Sequence, residues 1–153
     1  MQMPARTPAM AAMTAMTLAQ LSGNRKGLHD PVLAGFLLRA GERELLIDAF
    51  VNEPYGEYAS VPEELRVKML DREPPFAEVE LALTSHFHRD HFQVEAAAEF
   101  LRAHEETKFA AAPQVVDDLK ASLGADAASA RVTALLPDAR QTLAAQHGAI
   151  SVE

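Results

Sequence analysis

The residues best equipped for chemistry lie within one short run, His86-Phe87-His88-Arg89-Asp90-His91. It places three imidazoles and a carboxylate within six positions. These are ligands that a borderline cation such as Zn²⁺ accepts, and core packing gives no reason for three histidines on one turn. The run follows Val79-Glu80-Leu81-Ala82-Leu83, an apolar segment that reads as a strand. In extended backbone, residues two apart point to the same side. His86 and His88 are therefore expected to project together as the strand runs out. Asp90 and His91 follow where the chain turns toward the next helix. A helical path would pair His88 with His91 and leave His86 aside. Loops at strand ends are where layered α/β folds place active sites. His29, His104 and His147 stand singly and read as solvated residues or loop donors.

The flanking elements must position that turn. Val32 to Arg39 and Glu44 to Phe50 read as two strands around the Gly-containing turn Ala40 to Arg43, a β-hairpin. Asn52 to Tyr58 is loop, broken by Pro54 and Gly56. Pro62 to Asp71 is predicted helical, with Pro62 at its first position and apolar contacts from Leu65, Val67, Met69 and Leu70. Glu73-Pro74-Pro75 stops it. Glu78 to Ser85 is a strand. Phe92 to His104 is an amphipathic helix, because Val94, Ala97, Ala98 and Leu101 recur at helical spacing. Lys108 to Ala112 is a strand, Pro113 to Leu123 a helix closed by Gly124, and Arg131 to Leu136 a further strand before a Pro137-Asp138 turn. The Ala-rich piece Ala121 to Ala130 reads as a helix end and loop. Gln141 to Glu153 reads as two short strands around His147-Gly148. Alternating strands and helices predict an α/β layered domain. Residues 1–13 are expected to be a disordered or weakly signal-like start, with an edge strand near Met16 to Leu21 and the domain spanning 14–153.

Composition narrows the function classes. A chain of 153 residues, 48% hydrophobic, suits one globular domain. The 22 acidic residues against 14 basic ones give a net charge of −8, which argues against a phosphate-backbone partner. Without cysteine, any metal ligands must be His, Asp or Glu, the N/O sets common at catalytic sites. No apolar run is long enough to span a bilayer, and a cytoplasmic location is expected, or a periplasmic one if the N-terminus is a signal peptide.

Leu83-Thr84-Ser85-His86-Phe87-His88-Arg89-Asp90-His91-Phe92 resembles the signature of the metallo-β-lactamase superfamily. Leu46-Ile47-Asp48 resembles its earlier motif, an acidic residue closing a strand. Ala34-Gly35-Phe36-Leu37-Leu38 is similar to the strand before that. Asn52 to Tyr58 and Pro74-Pro75-Phe76 look like a bacterial subgroup of metallo-hydrolases. The resemblance covers about residues 32 to 153 and implies a four-layer αββα sandwich with a dinuclear zinc site at one edge. His86 and His88 would bind one metal, Asp90 and His91 the second. Asp48 would orient the ligand loop from behind. A metal-bound hydroxide would attack a small-molecule substrate, and Asp90 would orient that nucleophile and take a proton.

The same resemblance calls for a third His, a bridging Asp and a final His. The stretch Ala145 to Glu153 resembles the hairpin that precedes the third ligand, so these are expected beyond Glu153, with His147 a lesser candidate. The chain is then expected to be the N-terminal part of the fold, C-terminally truncated, with an uncovered sheet face open to self-association. Each metal would keep two protein ligands, one short of the usual three. Two functions stay open: a metal-dependent hydrolase, and a non-catalytic remnant or interaction domain of the same fold.

Overall fold

The computed structural model describes residues 13–23, 35–124, 130–135, 145–147 and 150–152. Its centre is a mixed sheet of six strands in sequence order: β1 (Met13–Thr17), β2 (Phe36–Ala40), β3 (Arg43–Ile47), β4 (Val79–Thr84), β5 (Lys108–Ala111) and β6 (Val132–Ala134). The first three pair antiparallel. From β3 onward the pairing is parallel, and each parallel step needs a crossover. Helices α2 (Glu63–Leu70), α3 (Val94–Ala103) and α4 (Pro113–Leu123) supply them. A short helix α1 (Leu18–Leu21) follows β1. Strands β7 (Ala145–His147) and β8 (Ile150–Val152) pair antiparallel as a separate hairpin. The chain is thus a mixed α/β protein.

One row of side chains explains how the sheet holds its helices. Leu37, Leu46, Ala82, Phe109 and Val132 are cross-strand neighbours in the register of β2 through β6. All five are buried in one apolar cluster with Leu65 and Met69 of α2, Ala97 and Leu101 of α3, and Val115 and Leu119 of α4. Since strand side chains alternate faces, this row fixes the helix-covered side. On the other face Leu81 and Ala110 are fully buried, Leu38, Leu45, Ile47 and Leu83 are half-buried, and Phe36 is 44% exposed. The sheet is therefore apolar on both faces, as parallel sheets covered on both sides are.

Several element ends differ from the sequence expectation. The edge strand spans Met13–Thr17 rather than Met16 to Leu21. Thr17 stops it by capping α1: its hydroxyl accepts from the Gln20 N–H while Gln20 Oε1 accepts from the Thr17 N–H, a reciprocal capping box. The strand expected through Phe50 ends at Ile47, because Asp48 takes φ +51°. Pro62 sits just outside α2, at ψ 140°, rather than in its first turn. Leu65 and Met69, four apart, bury one face of α2 and leave Val67 43% exposed. β6 covers only Val132–Ala134 of the expected Arg131 to Leu136. Gly124 closes α4 at φ +86° as expected. The Pro137-Asp138 turn lies outside the described residues. Among the described residues no helix is long and apolar enough to cross a membrane.

Phe109 lies in the buried row and packs its ring against Phe50, centroids 5.7 Å apart. Replacing it by alanine is expected to cost about 3–5 kcal/mol of unfolding free energy, measured by urea denaturation. A loss below about 1 kcal/mol would show that this row does not hold the core.

Candidate metal centre

The ligand turn hangs between two parallel strands at their C-terminal ends. β4 closes at Thr84, so residues 85–91 run as bends and a turn rather than as extended chain. The N–H groups of His91 and Phe92 both donate to the His88 carbonyl, at 2.9 and 2.8 Å, which curls the backbone back. Phe92 then forms a parallel bridge with Phe50. Both ends of the turn are thus tied to the exit of β3.

Asp48 is the main anchor. Its residue is 7% exposed, and a buried carboxylate needs hydrogen-bond donors to offset its lost hydration. It has three. The Ser85 N–H donates to Oδ1 at 2.8 Å, the Ser85 hydroxyl to Oδ2 at 2.7 Å, and His91 Nδ1 to Oδ2 at 3.0 Å. Its backbone N–H donates to Leu83 O at 3.0 Å. The left-handed φ of Asp48 turns the carboxylate under the ligand turn, a conformation Asp tolerates better than most residues. Gly35 backs it up. At φ +119°, a Cβ there would lie 2.9 Å from Asp48 O and 2.8 Å from Leu18 Cδ1, so no side chain fits.

These contacts decide which imidazole nitrogens face outward. The Ser85 hydroxyl has one proton, and Asp48 receives it. Its oxygen can then only accept from His86 Nδ1, 2.9 Å away. Asp48 therefore holds Nδ1–H of His91 directly and of His86 through Ser85, leaving both Nε2 lone pairs free. A metal-ligating histidine has this arrangement, with its second nitrogen tied to a carboxylate or similar partner.

His86, Asp90 and His91 come together, one ligand atom from each lying within 4.8 Å of the others. The His86 and His91 rings lie 4.0 Å apart. His91 Nε2 faces Asp90 Oδ2 at 3.2 Å. With Nδ1 donating to Asp48, these are two acceptors face to face, and they need a cation between them, either a proton or a metal ion. Two ligands at zinc distances and a tetrahedral angle lie about 3.3 Å apart, so the spacing fits zinc. The donor set and its backing fit a metal ion.

His88 is not part of this group of three. It is exposed, its ring edge-on to His86 at a centroid distance of 4.8 Å. The expected joint projection of His86 and His88 relied on extended backbone, and the strand ends two residues too early for it. His88 lines a groove of 460 Å³ with Tyr55, Phe87, Arg89 and Asp90. Arg89 reaches Glu53 at 3.3 Å and sits 5.7 Å from the Tyr55 ring centre. Ser85 and Gly35 entered the sequence reading only as motif letters. Their roles depend on contacts to Asp48, 37 residues from Ser85 along the chain, which no local pattern carries.

The remaining histidines divide. His29 and the side chain of His147 lie outside the described residues; the backbone of His147 ends β7, paired with Ile150. His104 is not solvated, as expected for a single histidine, but 2% exposed. Its Nε2 donates to the Met69 carbonyl, and its ring stacks on Phe100 at 4.1 Å. A scan of protein-family models found no match to the chain, and a search of curated proteins found none either.

Burial pulls the His104 imidazole below its ordinary 6.5, and Arg72 adds to this, while the Met69 carbonyl and Glu44 act the other way. The unfolded chain then binds a proton near pH 6.5 that the native state refuses. The resulting stability is full above pH 6.5 and is lost as pH falls from there through the lower folded value. Unfolding free energy is expected to drop between pH 7 and 5.5, with a slope from this residue of up to about 1.4 kcal/mol per pH unit. His104→Gln, which keeps an N–H donor and does not titrate, should flatten that slope. An unchanged slope would show that His104 titrates normally.

Proposed function

We propose that this chain carries the zinc-binding turn of a metallo-β-lactamase-type hydrolase acting on a small molecule. The observation that carries the proposal is the pairing of His91 Nε2 with Asp90 Oδ2 at 3.2 Å, while His91 Nδ1 is held by Asp48. When bound, zinc would lower the pKa of a water and polarise a substrate carbonyl or phosphoryl oxygen. The Nε2 atoms of His86 and His91 and a carboxylate oxygen of Asp90 would hold it. Asp48 and Ser85 hold the opposite nitrogens, Nδ1, and so aim Nε2 at the shared space. Asp90 would orient the nucleophile and accept its proton. Tyr55 and Phe87 flank the groove and exclude water from one side of a bound substrate.

The four-layer αββα sandwich is supported by the helices on one face of the sheet and the apolar residues on the other. The net charge of −8 favours a small molecule over nucleic acid as partner. Three donors would make a one-metal centre, the number usual for catalytic zinc. A change at His88 would bring the two-metal arrangement within reach. A second reading, an interaction domain that binds metal without turnover and associates with itself, is favoured by the partly exposed apolar residues of the second face on β2 and β3, Phe36 among them.

Zinc content and a hydrolysis screen over esters, lactones, thioesters and phosphodiesters test the proposal. The expected result is at least one equivalent of zinc and turnover that His91→Ala lowers more than about 100-fold, since even outer partners are worth roughly 10–100-fold. His88→Ala should remove a second equivalent if two metals bind and leave the first in place. Zinc binding without turnover supports the interaction domain. Less than half an equivalent at any zinc load contradicts both.

A further inference from the structure

Gln93 occupies the position just before α3, where a side chain that caps the helix is usual. It makes no such cap. Its side chain makes four other hydrogen bonds. Oε1 accepts from the N–H groups of Asn52, at 3.0 Å, and Glu53, at 2.9 Å. Nε2 donates to the carbonyls of Glu53, at 2.6 Å, and Arg89, at 3.1 Å. Its backbone N–H donates to Phe50 O at 2.8 Å. One amide thus fills both its acceptor and its donor capacity on two separate loops, each bond to backbone. Backbone partners give loop position independent of the side chains there.

The two loops are the walls of the groove. Asn52 to Tyr58 presents Tyr55, and its tip is closed by reciprocal hydrogen bonds between the backbones of Tyr55 and Tyr58. The ligand turn presents Phe87, His88 and Asp90. Asp48 fixes the Ser85 and His91 ends of this turn and makes no contact with Arg89, next to Asp90. Gln93 supplies that contact. The other ties between the walls among the described contacts are two exposed ones, the Arg89–Glu53 pair and Arg89 over the Tyr55 ring, and such contacts contribute little.

We propose that Gln93 is a positioning residue that clamps the Asn52–Tyr58 loop to the ligand turn and thereby sets the place of Asp90 beside His91. The proposal rests on the zinc reading of the site. Outer partners of this kind change metal affinity by roughly 10–100-fold, whereas a helix residue of only structural use alters stability and leaves affinity alone.

The test measures zinc affinity by chelator competition, together with amide hydrogen exchange of the metal-free protein. Gln93→Ala is expected to weaken zinc binding about 10-fold and to speed exchange at Asn52 and Glu53. Gln93→Glu keeps the two acceptor bonds and loses the two donor bonds, so it should retain protection at Asn52 and Glu53 and still lose zinc affinity. Arg102→Ala, in the last turn of α3 and bonded to Ser122 O, should change neither readout. Zinc affinity of Gln93→Ala within twofold of the parent overturns the proposal. A parent protein that takes up no zinc removes the metal reading instead. The exchange measurement then decides the clamp alone, and unchanged protection at Asn52 and Glu53 in Gln93→Ala overturns it.

Discussion

The buried carboxylate of Asp48 is the constraint on which the site depends. It accepts three hydrogen bonds, two from Ser85 and one from His91. Each does a separate job. The Ser85 N–H docks the first residue after β4. The Ser85 hydroxyl, having given its proton to Asp48, obliges His86 to present Nδ1–H to it. His91 presents Nδ1–H to the carboxylate itself. Removing the carboxylate would release the turn and both ring orientations together, because no other described side chain hydrogen-bonds both Ser85 and His91.

The fold exists around that anchor in a definite sense. β3 and β4 run parallel, so their C-terminal ends lie side by side. That places Asp48 at the end of one strand and Ser85 at the end of its neighbour. The apolar row from Leu37 to Val132 holds the strands in this register, and a slip by one residue would turn Asp48 and the ligand turn to opposite faces. Gly35 allows the antiparallel neighbour β2 to begin against the Asp48 carbonyl, where a Cβ would collide. Packing and site therefore share one register.

Much of this was legible in the residues. The order of strands and helices from Phe36 to Leu123 followed from hydrophobic period and from Pro and Gly punctuation. Pro113 and Gly124 bracket α4 because one suits a first helical turn and the other a left-handed end. The ligand turn was legible because clustered imidazoles have no use in a core. Less legible was what long-range contacts decide. Nothing local says that Thr17 caps a helix instead of continuing a strand, or that His104 is buried between Phe100 and the Met69 carbonyl. The strand end at Asp48 arises from a left-handed backbone selected by its partners across the sheet. His86 and His88 were expected to act together by strand alternation. With the early end of β4, the His86 ring lies 4.0 Å from that of His91, tilted to it, and 4.8 Å from that of His88.

The most direct test of the central claim reads the protons on the two rings. Two-bond ¹H–¹⁵N correlation spectra of the metal-free protein above neutral pH distinguish Nδ1–H from Nε2–H tautomers. His86 and His91 are predicted to be Nδ1–H, and Asp48→Ala should return both to a mixture. Finding His91 as the Nε2–H tautomer in the unaltered protein would contradict the claim that Asp48 leaves a lone pair facing Asp90 for a metal ion.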